Sequence, residues 1–212
     1  MNKQAIELEE QIISLFPDLK TEVYKGCILK ETDNCLRVYP LYCKSDECVL
    51  DRIRMCEEIG KQKGLDCSFH IAEYTNYYLA ALLTDNGYLL AQYGVVGELY
   101  LTENDIFSLI IKSNELSKAK LSLQRIGESM VENVINENNT VIGKRKHGLL
   151  FILNGAFSCE SMLNDVLQFS LENRITRVLV AIPKLKALPE YYKKFGFQKA
   201  YLYRCYQKGS VK

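Results

Sequence analysis

Two short apolar runs near the end of the chain, joined by one helical segment, most constrain what this sequence can fold into. The first run, 177–182, is bounded by charges and predicts a buried strand, and the aromatic run 200–206 predicts a second strand. Pro189 suits the first turn of a helix between them, and Gly196 suits a left-handed residue at the helix end. The ending therefore predicts a strand, a short helix, a glycine stop and a strand.

Composition bounds the class of protein. At 212 residues, with 48% hydrophobic and 25% charged residues, the chain can bury a sizeable globular core. A formal net charge of +1, with scattered lysines and arginines, gives no sign of a nucleic-acid groove. No run approaches the roughly 18 apolar residues of a membrane span, and residues 1–10 do not form a signal peptide. We therefore expect a cytoplasmic protein with neither a membrane nor a nucleic-acid partner.

The eight cysteines are expected to be thiols. Because the chain has no secretory signal, its even number of cysteines does not indicate a disulfide framework. It also has no C-x-x-C motif, and its two histidines, His70 and His147, lie far apart in sequence. No metal site is predicted.

Apolar spacing predicts alternating helices and strands through the first half of the chain. The predicted helices are 4–16, 46–63 and 76–86, and the predicted strands are 21–30, 35–43, 67–72 and 88–101. The last of these is either one long strand or two short strands broken near Gly94 or Gly97. The turn residues 32–34 make the first two strands a hairpin. Beyond this half, 116–135 is predicted to be helical, and 141–143 and 149–153 are predicted strands.

The segment Tyr191-Tyr192-Lys193-Lys194-Phe195-Gly196-Phe197 resembles the "Y-x-K-x-G-F" element of the GCN5-related N-acetyltransferase (GNAT) superfamily. Gly64-Leu65-Asp66-Cys67-Ser68-Phe69-His70-Ile71, with Gly87-Tyr88, resembles the N-terminal half of two-domain members. The resemblance implies an α/β fold with a mixed sheet, in which a GNAT-like half precedes a reduced C-terminal GNAT half. The implied divisions are 1–101, a helical connector 102–140, and 141–212 with the acetyl-CoA site.

The same resemblance implies a cofactor loop at the end of the strand 149–153. In the family a Q/R-x-x-G-x-G/A loop opens a helix, whose backbone N–H groups and dipole hold the pyrophosphate of the cofactor. Carried over by position, the acetyl-CoA site comprises Leu153, Gly155, Ala156, Phe157, Ser158, Cys159 and Ser161. Here Gly155 is the single glycine of 154–161, and Glu160 adds a carboxylate to the first helical turn. Either this loop still holds the cofactor by its backbone amides, or cofactor binding has been lost and Ser158 is simply a helix N-cap.

The resemblance also implies a reaction. Tyr192 takes the position of the general acid that protonates the departing thiolate of coenzyme A, and Glu98, at the end of a predicted strand, is a candidate general base. The basic cluster 144–147 is either a solvated turn or a phosphate contact. The predicted function is acetyl transfer from acetyl-CoA to the primary amine of a small molecule or peptide. The alternative is a non-catalytic GNAT-like module that binds a small molecule or protein. Oligomeric state is left open, a homodimer being one option.

Overall fold

The computed structural model describes residues 3–17, 19–43, 47–73, 77–102, 121–126, 129–138, 140–153 and 160–208. The chain forms two compact units. Unit 1 comprises residues 1–94 and 201–212, and unit 2 comprises residues 95–200. Both boundaries fall inside strands, so two strands contribute residues to both units.

Unit 1 is a sheet with helices on both faces. In chain order its elements are α1 (Lys3–Ser14), β1 (Thr21–Tyr24), β2 (Cys27–Glu31), β3 (Cys35–Tyr39), α2 (Val49–Gln62), β4 (Asp66–Ala72), α3 (Tyr77–Asp85), the first part of β5 (Tyr88–Tyr100) and the last part of β11 (Gln198–Lys208). Part of its strand order is β1-β2-β3-β4-β11. The pairs β1–β2, β2–β3 and β4–β11 are antiparallel, and β3–β4 is parallel.

Alternation along the strands of unit 1 separates two apolar clusters. Cys27 and Leu29 of β2 belong to the main core, which also contains the buried residues of α2 and α3. Ile28, between them, points to the opposite face and packs with Ile6 and Ile13 of α1. Each face of this sheet is therefore covered by helix.

Unit 2 is built around a parallel pair of strands. Its further elements are β6 (Ser122–Arg125), β7 (Val131–Ile135), β8 (Val141–Lys146), β9 (Leu149–Ile152), α4 (Glu160–Glu172), β10 (Arg177–Pro183) and α5 (Glu190–Lys194). The strand order is β5-β10-β9-β8-β7-β6. Strands β6 to β9 form an antiparallel meander, whereas β9 and β10 are parallel and α4 connects them.

The described pairing of β9 with β10 ends before β10 does. It runs from Leu149↔Arg177 to Ile152↔Val180, while β10 continues to Pro183. Leu153, the next residue after β9, donates its N–H to the Ile142 carbonyl of β8 at 3.0 Å. The described pairing therefore ends at the carboxyl ends of these two strands, where ligands of open α/β sheets bind.

The predicted elements of the first half and the chain ending are confirmed, with shifts of a few residues at their ends, except for the single strand predicted over 21–30. That segment forms two antiparallel strands, β1 and β2, because Lys25 and Gly26 turn the chain with positive φ. The predicted helix over 116–135 is wrong in its described part, because Ser122–Arg125 and Val131–Ile135 form strands β6 and β7. The predicted basic turn 144–147 is mostly strand, since β8 runs through Lys146. No helix in the described parts of the chain is long and apolar enough to cross a membrane.

Candidate functional site

The Tyr192 side chain is the central feature of the candidate site in unit 2. It lies on α5 and is fully buried. Its ring packs against Tyr191 at 4.5 Å and edge-on against Phe197 at 5.3 Å, between ring centroids. The hydroxyl has no hydrogen-bond partner within the described part of the chain. Burial raises the pKa of Tyr192, and the neighbouring Tyr191 adds to the increase, so the phenol is protonated near neutral pH.

Close backbone packing fixes the position of α5. A Cβ on Gly97 of β5 would lie 2.7 Å from Leu188 Cδ2 and 3.1 Å from Val180 Cγ1, so glycine at this position lets Leu188 pack against the strand. Gly196, with φ of +89°, ends the helical segment in the left-handed conformation that the sequence predicts. The Phe197 N–H then turns back to the Tyr192 carbonyl at 3.1 Å.

Unit 1 contains the same structural motif without the phenol. In both units a hairpin, a helix, a parallel strand, a short helix and a left-handed glycine follow in the same order. The spacing of the buried residues around that glycine is also the same: Leu79, Leu83, Gly87 and Tyr88 in unit 1, and Leu188, Tyr192, Gly196 and Phe197 in unit 2. Leu83 therefore occupies the position of Tyr192, and proton donation from this position is available in unit 2 alone.

The two parallel strand pairs also differ just beyond their last paired residues. In unit 1 the pairing of β3 with β4 ends at Val38↔Phe69, and the next residues, Tyr39 and His70, bring their rings within 5.0 Å of each other. In unit 2 the corresponding residues are Leu153 and Ala181, which follow Ile152↔Val180. Two rings in tilted contact occupy this position in unit 1, whereas the methyl group of Ala181 has far less volume in unit 2.

Glu98 lies on β5 and forms a half-buried ion pair with Arg177 of β10. The Tyr100 ring also contacts this guanidinium, at 5.1 Å from its centroid. Side chains alternate along a strand, and Gly97 faces Leu188, so Glu98 points to the face of β5 opposite α5. The structure therefore does not place Glu98 on the same face as the tyrosine helix, and its role as a base stays a prediction.

Most of the predicted cofactor loop lies outside the described residues, namely Gly155, Ala156, Phe157, Ser158 and Cys159. Leu153 is half-buried directly after β9, and Ser161 belongs to the first turn of α4. In the basic cluster that precedes β9, Arg145 is engaged within the protein. It pairs with Glu132 at 3.0 Å and donates to the Asn173 carbonyl, just after α4, at 3.0 Å.

A second cluster of titratable side chains lies in unit 1. Cys205 Sγ is 3.2 Å from His70 Nδ1, and Ser68 Oγ is 3.3 Å from His70 Nε2. The Glu9 carboxyl of α1 hydrogen-bonds Tyr201. Burial raises the pKa of Glu9 to about 7 and lowers the pKa of His70 to about 3, and Arg37 adds to the lowering. This cluster is therefore largely uncharged near pH 6, which suits hydrogen bonding in an apolar surrounding.

Sequence reasoning missed three of these features. In the sequence Arg177 is only a charge that bounds a predicted strand, and its pairing with Glu98 is visible in the structure alone. Ala181 carries no signal of its own, because its meaning depends on where the pairing with β9 ends. The contact between His70 and Cys205 joins residues 135 positions apart, which no local pattern can reveal.

Comparisons with known proteins identify the fold. No protein-family model matches this sequence, and no curated protein matches it either. Among solved structures, the chain is similar to a GCN5-related N-acetyltransferase from Kribbella flavida, with a TM-score of 0.63, 10% identity, and coverage of 100% of this chain and 98% of that one. A GCN5-related N-acetyltransferase from Sphaerobacter thermophilus has a TM-score of 0.55 and 11% identity, with 94% and 84% covered.

A conserved protein of unknown function from Staphylococcus epidermidis is also similar, with a TM-score of 0.56, 10% identity, and 91% and 96% covered. At these identities the likeness shows the fold alone. The chain has the mixed α/β fold of the GCN5-related N-acetyltransferases, which confirms the fold predicted from the sequence.

Removing the hydroxyl of Tyr192 should not destabilise the protein. The Tyr192→Phe variant deletes a buried polar group without a described partner, so its free energy of unfolding should stay equal or rise by about 1 kcal/mol. Tyr88→Phe is the matched control, because the Tyr88 hydroxyl donates to Glu57 at 2.9 Å and its loss should cost about 1–2 kcal/mol. Urea unfolding measures both variants. Equal losses for the two would mean that the Tyr192 hydroxyl has an internal partner.

The Glu9→Gln variant should change how stability depends on pH. The folded-state pKa of Glu9 lies above the ordinary carboxyl value of 4.5, so the unfolded chain binds fewer protons than the folded one between about pH 4.5 and 7. Wild-type stability therefore loses a contribution as the pH rises through this window, and the variant does not lose it. The stability of Glu9→Gln relative to wild type should increase by about 2 kcal/mol from pH 5 to pH 7. Glu7→Gln, on the exposed face of the same helix, is the control for helix propensity. If the difference in unfolding free energy between Glu9→Gln and wild type did not change with pH, the raised pKa of Glu9 would be refuted.

Proposed function

We propose that unit 2 transfers an acetyl group from acetyl-CoA to a primary amine, with Tyr192 as general acid. The observation that carries the proposal is the buried Tyr192 hydroxyl without a described partner, in a fold whose similar solved structures include GCN5-related N-acetyltransferases. A ligand atom that reaches this hydroxyl gains a hydrogen bond without displacing one.

The residues present fit an acyl-thioester co-substrate at the carboxyl ends of β9 and β10. The described pairing ends at Ile152 and Val180, and the small Ala181 side chain follows on β10. Under the proposal, Leu153 and the segment that follows it hold the cofactor by backbone groups, with Gly155, Ala156, Phe157, Ser158, Cys159 and Ser161 at its phosphates. The helix that begins near Glu160 would direct its N-terminal N–H groups at the pyrophosphate.

Acetyl-CoA supplies an acetyl thioester, so an amide bond forms at the acetyl carbon while the carbon–sulfur bond breaks. Tyr192 holds a proton at Oη and delivers it to the departing sulfur, and the attacking amine loses one proton, so the proton count balances. Burial raises the pKa of Tyr192, so the phenol carries its proton near neutral pH. Packing against Tyr191 and Phe197 fixes the ring, so little orientation is lost in the reaction.

The proton from the amine needs an acceptor, and Glu98 remains the proposed base. Its ion pair with Arg177 orients the carboxylate, and it would act through a water molecule, since its strand face is opposite to that of α5.

We place the reaction in the cytoplasm. The described cysteines, Cys27, Cys35, Cys43, Cys48, Cys56, Cys67 and Cys205, are thiols rather than disulfides, which fits a reducing compartment.

Replacing Tyr192 with Phe should separate chemistry from binding. Loss of the general acid should lower kcat by about 100-fold, while the dissociation constant of acetyl-CoA changes by less than about threefold. Release of free coenzyme A is measured with a panel of small primary amines and peptide N-termini. Tyr191→Phe, the adjacent tyrosine, is the matched control and should keep wild-type turnover.

Calorimetric titration and thermal unfolding with acetyl-CoA accompany these assays. A cofactor at about 100 times its dissociation constant should stabilise the wild type by about 2.7 kcal/mol. Equal turnover in Tyr192→Phe and wild type would remove Tyr192 from the mechanism. An absence of both turnover and stabilisation at millimolar acetyl-CoA would contradict the enzyme proposal and favour a non-catalytic binding module.

A further inference from the structure

The segment that carries Tyr192 is strongly basic. Residues 184–199 contain five lysines, one glutamate and no arginine, a net charge of +4. The whole chain has a formal charge of +1, so all its other residues together sum to −3. We call the five side chains, Lys184, Lys186, Lys193, Lys194 and Lys199, the lysine surface. In the other basic cluster of unit 2, 144–147, Arg145 already pairs with Glu132.

All five lysines are exposed, and the fold explains why. Leu188 and Tyr192 turn inward from the α5 segment, so Lys193 and Lys194 are left on its outer side. Lys184 and Lys186 lie in the turn between β10 and α5, and Lys199 lies on β11 shortly after the buried Phe197. The single acidic residue of the segment, Glu190, already pairs with Lys193 at 2.6 Å.

Apolar groups interrupt this charge. Leu185 is 39% exposed between two lysines, and Ala187 is also exposed. Lysines spread over three successive elements, with exposed apolar side chains among them, suit an extended partner that makes many contacts. A small anion would instead call for charges that converge in a buried pocket.

We propose that the lysine surface binds an acidic polypeptide that presents the amine acetylated by unit 2. The inference rests on the proposed function, because it names the class of acceptor for that site. Complementary charge would raise the rate of encounter and hold the peptide beside α5, with most of the binding lost at high ionic strength. Exposed apolar side chains such as Leu185 would contact apolar residues placed between the acidic ones.

Fluorescence anisotropy without acetyl-CoA tests the proposal independently of the chemistry. The probe is a 15-residue peptide of repeated Glu-Glu-Leu, with a free N-terminal amine and a label at its C-terminus. The wild type should bind this peptide and should bind the Gln-Gln-Leu version at least about tenfold more weakly. Raising the salt from about 50 to about 300 mM should weaken binding to the acidic peptide at least about fivefold.

Two charge-reversed variants locate the binding surface. Lys186→Glu with Lys199→Glu should weaken peptide binding at least about tenfold. Lys20→Glu with Lys61→Glu, two exposed lysines of unit 1, changes the net charge equally and should leave binding within about twofold of wild type. Tyr192→Phe should also keep peptide binding, so a failed enzyme assay would not be confused with a failed docking surface.

The proposal is overturned if the acidic peptide does not bind, if the glutamine version binds equally well, or if the unit 1 variant loses as much affinity as the unit 2 variant. Tighter binding of a labelled 15-nucleotide thymidine strand than of the acidic peptide would also overturn it, and would make the lysine surface a nucleic-acid contact.

Discussion

Burial of a phenol without a described hydrogen-bond partner is the constraint on which the account of this protein depends. A folded chain rarely leaves a buried hydroxyl unsatisfied unless another group satisfies it at some stage. In this protein, local packing offsets the free-energy cost of burying that hydroxyl. Gly97 lets Leu188 pack against β5, and α5 holds the Tyr192 ring between Tyr191 and Phe197. The packing that fixes the helix therefore also fixes one polar atom that the described interior does not use.

The two units share one order of elements but differ in the side chains at corresponding positions. Unit 1 has leucine in place of the phenol, two rings in tilted contact beyond the paired strands, and α1 packed over that face of the sheet. Its Glu9 is buried and its His70 is half-buried, and desolvation shifts the pKa of each so that the uncharged form is favoured. Unit 2 keeps the tyrosine, and a small side chain follows the last strand pair. These differences favour a structural role for unit 1 and agree with the proposal that places the chemistry in unit 2.

The local signals at the chain ending were sufficient to predict it. Pro189 and Gly196 mark the two ends of one short helix, and each acts through its own backbone preferences. The prediction for 116–135 failed because its apolar spacing fits a helix, while strands β6 and β7 are short and hold together by pairing in a meander. Strand pairing depends on partners that a local pattern does not contain.

The same limit applies to the site. The sequence could point to Tyr192 through its spacing from Gly196, but the ion pair of Glu98 with Arg177 joins residues 79 positions apart. The side chain of Ala181 matters for the site because the pairing of β9 ends one residue earlier. Sequence patterns thus located the helix that carries the phenol, whereas the surroundings of the phenol follow from the order of strands.

A crystal structure of the chain grown with acetyl-CoA tests the central claim most directly. The account predicts the thioester sulfur within about 3.5 Å of Tyr192 Oη, with the pantetheine chain lying along the carboxyl ends of β9 and β10. A cofactor bound at another place, with the Tyr192 hydroxyl still buried and without a partner, would contradict it.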